Sequence, residues 1–141
     1  MSPSAECAYG SVRQTKLDFA DAVSQLESAL KKEGFGVLCQ IDIQAKLKEK
    51  LGVESPRYVI LGACNPPLAH QALTEDVNLG LLLPCNAIVY EHHGQTYAGV
   101  VDAMKLLSVT GHPQMEALTR QVTERLRRAL DAVAPSAAAA P

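Results

Sequence analysis

The chain has 141 residues, 48% of them hydrophobic and 20% charged, with a formal net charge of −2. That length supports one ordinary hydrophobic core without metals or disulfides, and a balance this even lacks the basic excess that tracks phosphate backbones, so nucleic acid is not expected as a partner. No apolar run approaches a membrane span, and Met1–Glu6 carry neither a positive nor an apolar leader region, so no membrane association and a cytoplasmic location are expected.

Residues 7–15, with Tyr9, Val12 and Thr15, read as a first strand. A helix follows from Asp18, an N-cap with Asp21 three residues on, and Phe19, Val23, Leu26 and Leu30 recur at helical spacing. Gly34 stops it. Residues 35–43 read as a second strand in which Phe35, Val37, Cys39 and Ile41 alternate, so Cys39 is expected to point inward with the core set. A short helix over 44–51 closes at Gly52. The continuous apolar run Tyr58–Ala63 predicts a central strand covered on both faces or nearly so.

Asn65 then caps a helix reaching about Leu73, with Pro66 and Pro67 in its first turn, where no hydrogen bond is lost. Residues 74–79 read as a polar loop. The Gly80–Leu83 stretch reads as a loop over an apolar surface or as part of a dimer interface. Residues 85–92 and 95–101 form a hairpin turning at His93-Gly94. A short helical or irregular link covers 102–107. The last helix starts at Pro113, buries Met115, Leu118, Val122, Leu126, Ala129 and Val133, and pairs Glu124 with Arg128 on its outer face. Arg125–Arg128 read as its solvated C-terminal end.

The order β-α-β-α-β-α-β-β-α predicts an α+β fold: a mixed or mainly antiparallel sheet of about five strands with the long helices on one face. Residues 1–134 are expected to form one domain, and 135–141 an alanine- and proline-rich tail.

The steps Gly34-Phe35-Gly36-Val37, Tyr58 through Pro66, and Leu82-Leu83-Pro84-Cys85-Asn86 carry a resemblance. The chain resembles the small bacterial and archaeal proteins of domain-of-unknown-function family 302 over most of its length. The resemblance implies a compact α+β domain and a homodimer, and no particular activity. One departure is visible: the family pattern has an Asp-Pro step after the fifth strand, where this chain reads Asp102-Ala103.

Cys64 is placed at the end of a strand and just before a helix N-terminus, where the macrodipole lowers thiol pKa and favours anions. Pro66 and Pro67 lack N–H groups, which leaves the amides of Leu68 and Ala69 as donors. Cys85 opens the next strand. If the two strands are antiparallel neighbours, the thiols lie close. Four separated cysteines without CxxC spacing are expected to be reduced in the cytoplasm. No short ligand spacing gathers Cys64, Cys85, His70 and a strand histidine around zinc, so no metal is assigned, and no motif identifies a cofactor. His92 and His93 are adjacent at the end of a strand and so point to opposite faces unless the turn intervenes. Asp42, Glu75, Asp76, Glu91 and Asp102 show no acid–base pairing, and no nucleophile elbow or glycine-rich phosphate loop is present.

These residues support a non-enzymatic binding protein for a small apolar or anionic ligand, which the resemblance implies is a homodimer. Its site would comprise Phe35, Cys64, Asn65, Pro66, Pro84 and Cys85, in a cleft also lined by Leu61 and Leu83. One alternative is a thiol-based redox or soft-metal-handling protein using Cys64 and Cys85. Another is an interaction module without chemistry.

Overall fold

A computed structural model describes residues 7–135. The segments 1–6 and 136–141 lie outside the described residues, and with them nearly all of the expected tail. Five strands, β1 (Gly10–Thr15), β2 (Gly36–Asp42), β3 (Tyr58–Cys64), β4 (Cys85–His92) and β5 (Gln95–Val101), form one sheet in the order β1-β5-β4-β3-β2. Every pairing is antiparallel. The helices are α1 (Phe19–Lys32), α2 (Ile43–Leu51), α3 (Pro66–Glu75), α4 (Ala103–Leu107) and α5 (Glu116–Val133). The fold is α+β.

Alternation decides which face of the sheet meets the helices. Leu61, Ala63, Ala87, Val89, Ala98 and Val100 point to one side and pack against Leu26, Leu30, Leu126 and Leu130 of α1 and α5. The α1 stripe forms because Asp18 accepts the Asp21 amide at 2.8 Å and Gly34, at φ +89°, turns the chain out after the last turn. Three strands and two helices thus contribute small or aliphatic side chains to one dry layer. The hairpin between β4 and β5 turns at His93 and Gly94, with φ of +50° and +77°. Both left-handed values match the strand twist in a two-residue loop.

Several expectations fail for identifiable reasons. β2 slips register between Val37 and Cys39, and Leu38 is the extra residue. A bulge of one residue inverts all later side chains. Val37 still packs on the core, but Cys39 is exposed and its Sγ lies on the opposite face. Tyr58 and Ile60 of β3 are only half-buried, because the long helices cover one face of the strand and not both. Residues 74–79 are not a loop: α3 runs to Glu75 and a 3-10 helix, Val77–Leu82, follows, with Leu79 fully buried. Pro113–Met115 are 3-10, and α5 proper begins at Glu116. The expected Glu124–Arg128 pair is replaced by Arg128 to Glu33 at 3.0 Å, and Arg125 donates to the Glu33 carbonyl at 3.2 Å. These arginines tie α5 to the end of α1.

Asp102 caps α4 by accepting the Lys105 amide at 3.0 Å, so Ala103 is the first helical residue. Proline fits that position as well, because its N–H would be unpaired there anyway. The Asp-Ala departure therefore leaves the element intact.

Candidate functional site

The chain runs from β3 into α3 through Cys64 and Asn65, and Ala63 of β3 pairs with Cys85 of β4. Cys64 and Cys85 are thus brought to the same end of two adjacent antiparallel strands. Across this junction lie α3, the 3-10 segment and the first turns of α5. Between them is a cavity of about 340 Å3. Phe35, Cys64, Asn65, Leu83, Pro84 and Cys85 line it. Pro66 does not; it sits on the exposed side of the α3 start, and Leu61 is sealed in the core behind the wall.

The helical half of the wall is Leu68, Ala69, Ala72 and Leu73 of α3 with Leu118, Thr119 and Val122 of α5. Sequence reasoning assigned Leu118 and Val122 to the core and did not place α3 side chains in the site. The available signal was the pair Ala69 and Ala72, one helical turn apart on the same face. Two methyl groups there leave room that leucines would fill. The mouth is marked by Leu38 and Leu73, which line the cavity while remaining 67% and 38% exposed. Leu38 reaches this position because it is the bulge residue of β2.

The α3 N-terminus has no free donor to offer. Pro66 and Pro67 have no N–H. The Leu68 amide donates to Asn65 Oδ1 at 3.3 Å, and the Ala69 amide donates to the Asn65 carbonyl at 2.8 Å. The anion site that a helix start would otherwise provide is consumed by its own cap.

The thiols differ in setting. Cys85 is 6% exposed, and burial, reinforced by the nearby Cys64 thiol, pushes its pKa up to about 11. Near neutrality it is therefore a protonated, apolar filler rather than a nucleophile. Cys64 is half-buried against the cavity. All described cysteines are free. Among the described residues no group of three His, Cys, Asp or Glu side chains is arranged to hold a metal ion.

The histidines lie apart from this cavity's lining. His70 is exposed on α3. His92 and His93 do not diverge, because the turn at His93 intervenes and their rings meet edge-on with centroids 4.1 Å apart. His112 instead contacts Asp76, Nε2 to Oδ2 at 2.8 Å. That contact links the start of the 3-10 segment to the chain entering α5, and neither residue stood out in the sequence for such a pairing. It holds the Asp76 carboxyl below the ordinary value, with help from the Asn78 amide.

The family model described as "Domain of unknown function DUF302" matches residues 11–133. The chain is similar to a solved structure, the crystal structure of an uncharacterized conserved protein DUF302 from Bacillus stearothermophilus. The two share 32% sequence identity with a TM-score of 0.84, covering 90% of this chain and 99% of that one. No curated protein matches.

Proposed function

We propose that this chain, which belongs to the DUF302 family, is a non-enzymatic small-ligand-binding protein that acts as a homodimer in the cytoplasm. The observation that carries the binding reading is the cavity at the β3–α3 junction. It is of ligand size, walled by aliphatic side chains and one phenylalanine, and open at a rim of exposed leucines. Removing such walls from water by inserting hydrocarbon is favourable by roughly 25 cal/mol per Å2.

The redox and soft-metal alternative is less well supported, because a thiol held near pKa 11 is a poor nucleophile and ligand. The interaction-module alternative draws on exposed Val77, Leu81 and Val109. These are single side chains on the 3-10 segments Val77–Leu82 and Ser108–Thr110, and the two-sided cavity wall is the more specific feature.

The test is binding of the neutral fluorophore N-phenyl-1-naphthylamine. Its emission should rise on binding the native protein and fail to rise with Ala69→Phe, which fills the cavity. Ala72→Phe is a second blocking variant, since Ala72 is buried and lines the cavity. Thermal melts establish that both variants fold. Fluorescence that is the same in both folded variants as in the parent would remove the pocket as the binding site.

A further inference from the structure

We infer that the ligand of this cavity is uncharged: a neutral hydrocarbon-like molecule such as an alcohol, ketone, ester or aromatic, and not a carboxylate, phosphate or ammonium. The inference rests on the pocket reading above and narrows it to a chemical class.

Seventeen residues line the cavity, and none is Asp, Glu, Lys, Arg or His. The polar groups among them are two thiols, Asn65 and Thr119. Asn65 spends its oxygen on the Leu68 amide, and the Thr119 hydroxyl donates to the Glu116 carbonyl at 3.0 Å. The Arg125 guanidinium, near Asn65, does not line the cavity and donates to the Glu33 carbonyl and to Gln121 Oε1. The α3 N-terminus has its first two amides replaced by prolines and its next two engaged by Asn65. An anion inside would therefore lose its water and meet no counter-charge. A cation would meet no carboxylate and a protonated Cys85. Burying an unpaired charge is far more unfavourable than burying a hydroxyl, which needs only one weak partner.

Size fits the same class. An apolar cavity of about 150 Å3 stays dry and takes up benzene. A space of about 340 Å3 therefore accommodates a bicyclic ring or an alkyl chain of comparable bulk.

The experiment displaces N-phenyl-1-naphthylamine from the full chain at neutral pH with three ligands of one chain length: 1-octanol, octanoate and octylammonium. Octanol should displace the probe, and both ions should do so about a hundredfold more weakly. Displacement by octanoate or octylammonium as effective as that by octanol, or none by octanol, overturns the inference. In that case probe binding that Ala69→Phe abolishes still upholds the pocket. Failure of the probe itself to bind the native protein overturns both.

Discussion

Gly99 shows how closely the sheet is packed at one residue. A Cβ built there comes within 2.9 Å of both the Ser11 carbonyl oxygen and Val12 Cγ2, and 3.4 Å from Ile88 Cγ1. The carbonyl belongs to the β1 backbone, so relief requires moving the strand. Gly99→Ala gains about 0.4–1 kcal/mol from a less flexible unfolded chain. It loses about 1–3 kcal/mol to overpacking, so net destabilisation is expected, read as a lower urea midpoint. An unchanged midpoint would show that β1 yields freely. The thiols make a second residue-scale prediction. In the native protein iodoacetamide should label exposed Cys39 readily and Cys85 only after unfolding, because Cys85 is buried and ionises near 11. Mass spectrometry of the labelled peptides reads the order, and early labelling of Cys85 would revive the redox reading. Cys39 also marks where residue-level reading failed. Strict alternation from Phe35 puts it inside, and one bulged leucine reverses it. Nothing in Val37-Leu38-Cys39 distinguishes a bulge from a regular strand, since register is a property of the pairing with β3.

Helix starts were largely legible in the sequence, and they also explain Asp42 and Asp102, two of the carboxylates that suggested no chemistry. Asp18, Asp42, Asn65 and Asp102 each accept the amide three residues on, at 2.8–3.3 Å. Local capping of this kind is written in three or four consecutive residues, which is why Asp18 and Asn65 could be read directly. The 3-10 segment after Asp76 was not legible, because six residues without a helical stripe carry no periodic signal and its one buried anchor, Leu79, is fixed by α5 and the neighbouring turns. The tie between this segment and the chain before α5, Asp76 to His112, predicts a pH effect. The folded carboxyl titrates below its ordinary 3.8. A depressed carboxylate stabilises the fold fully above the unfolded value and loses that stabilisation as pH falls through the folded one. Acid titration by circular dichroism should show native protein more stable than Asp76→Asn above about pH 4, with the two curves converging below it. Curves that stay parallel to the lowest pH would mean that the pair contributes nothing through charge.

Across the whole molecule the sheet has two unlike faces, and the one turned away from α1 and α5 bears on assembly. Tyr58, Tyr90 and Tyr97 stack across three strands, with ring centroids 5.2 and 5.4 Å apart, and Ile60 pairs with Ile88 beside them. Burial and the two neighbouring tyrosines push Tyr90 up to about 12. By the pairing register no Asp, Glu, Lys or Arg of the five strands points to this face; Arg13, for example, turns to the helix side and meets Asp131. A face without charge places no like charges opposite one another when it meets a second copy, whereas a charged partner would find no complement. Five strands about 4.8 Å apart and some 20 Å long give roughly 500 Å2 per copy, below the ~800 Å2 per partner of a standard interface. The homodimer we propose should therefore be concentration-dependent. Sedimentation equilibrium should show dimer for the native chain and monomer for Ile88→Lys, whose ammonium would be buried without a partner. The cavity lies at the strand ends, walled by α3 and α5, and Ile88 does not line it, so the lysine variant should still bind N-phenyl-1-naphthylamine. A native chain that stays monomeric at every concentration would remove the dimer and leave the pocket standing, and a lysine variant that loses both dimer and probe would mean that the two faces are coupled through β3 and β4.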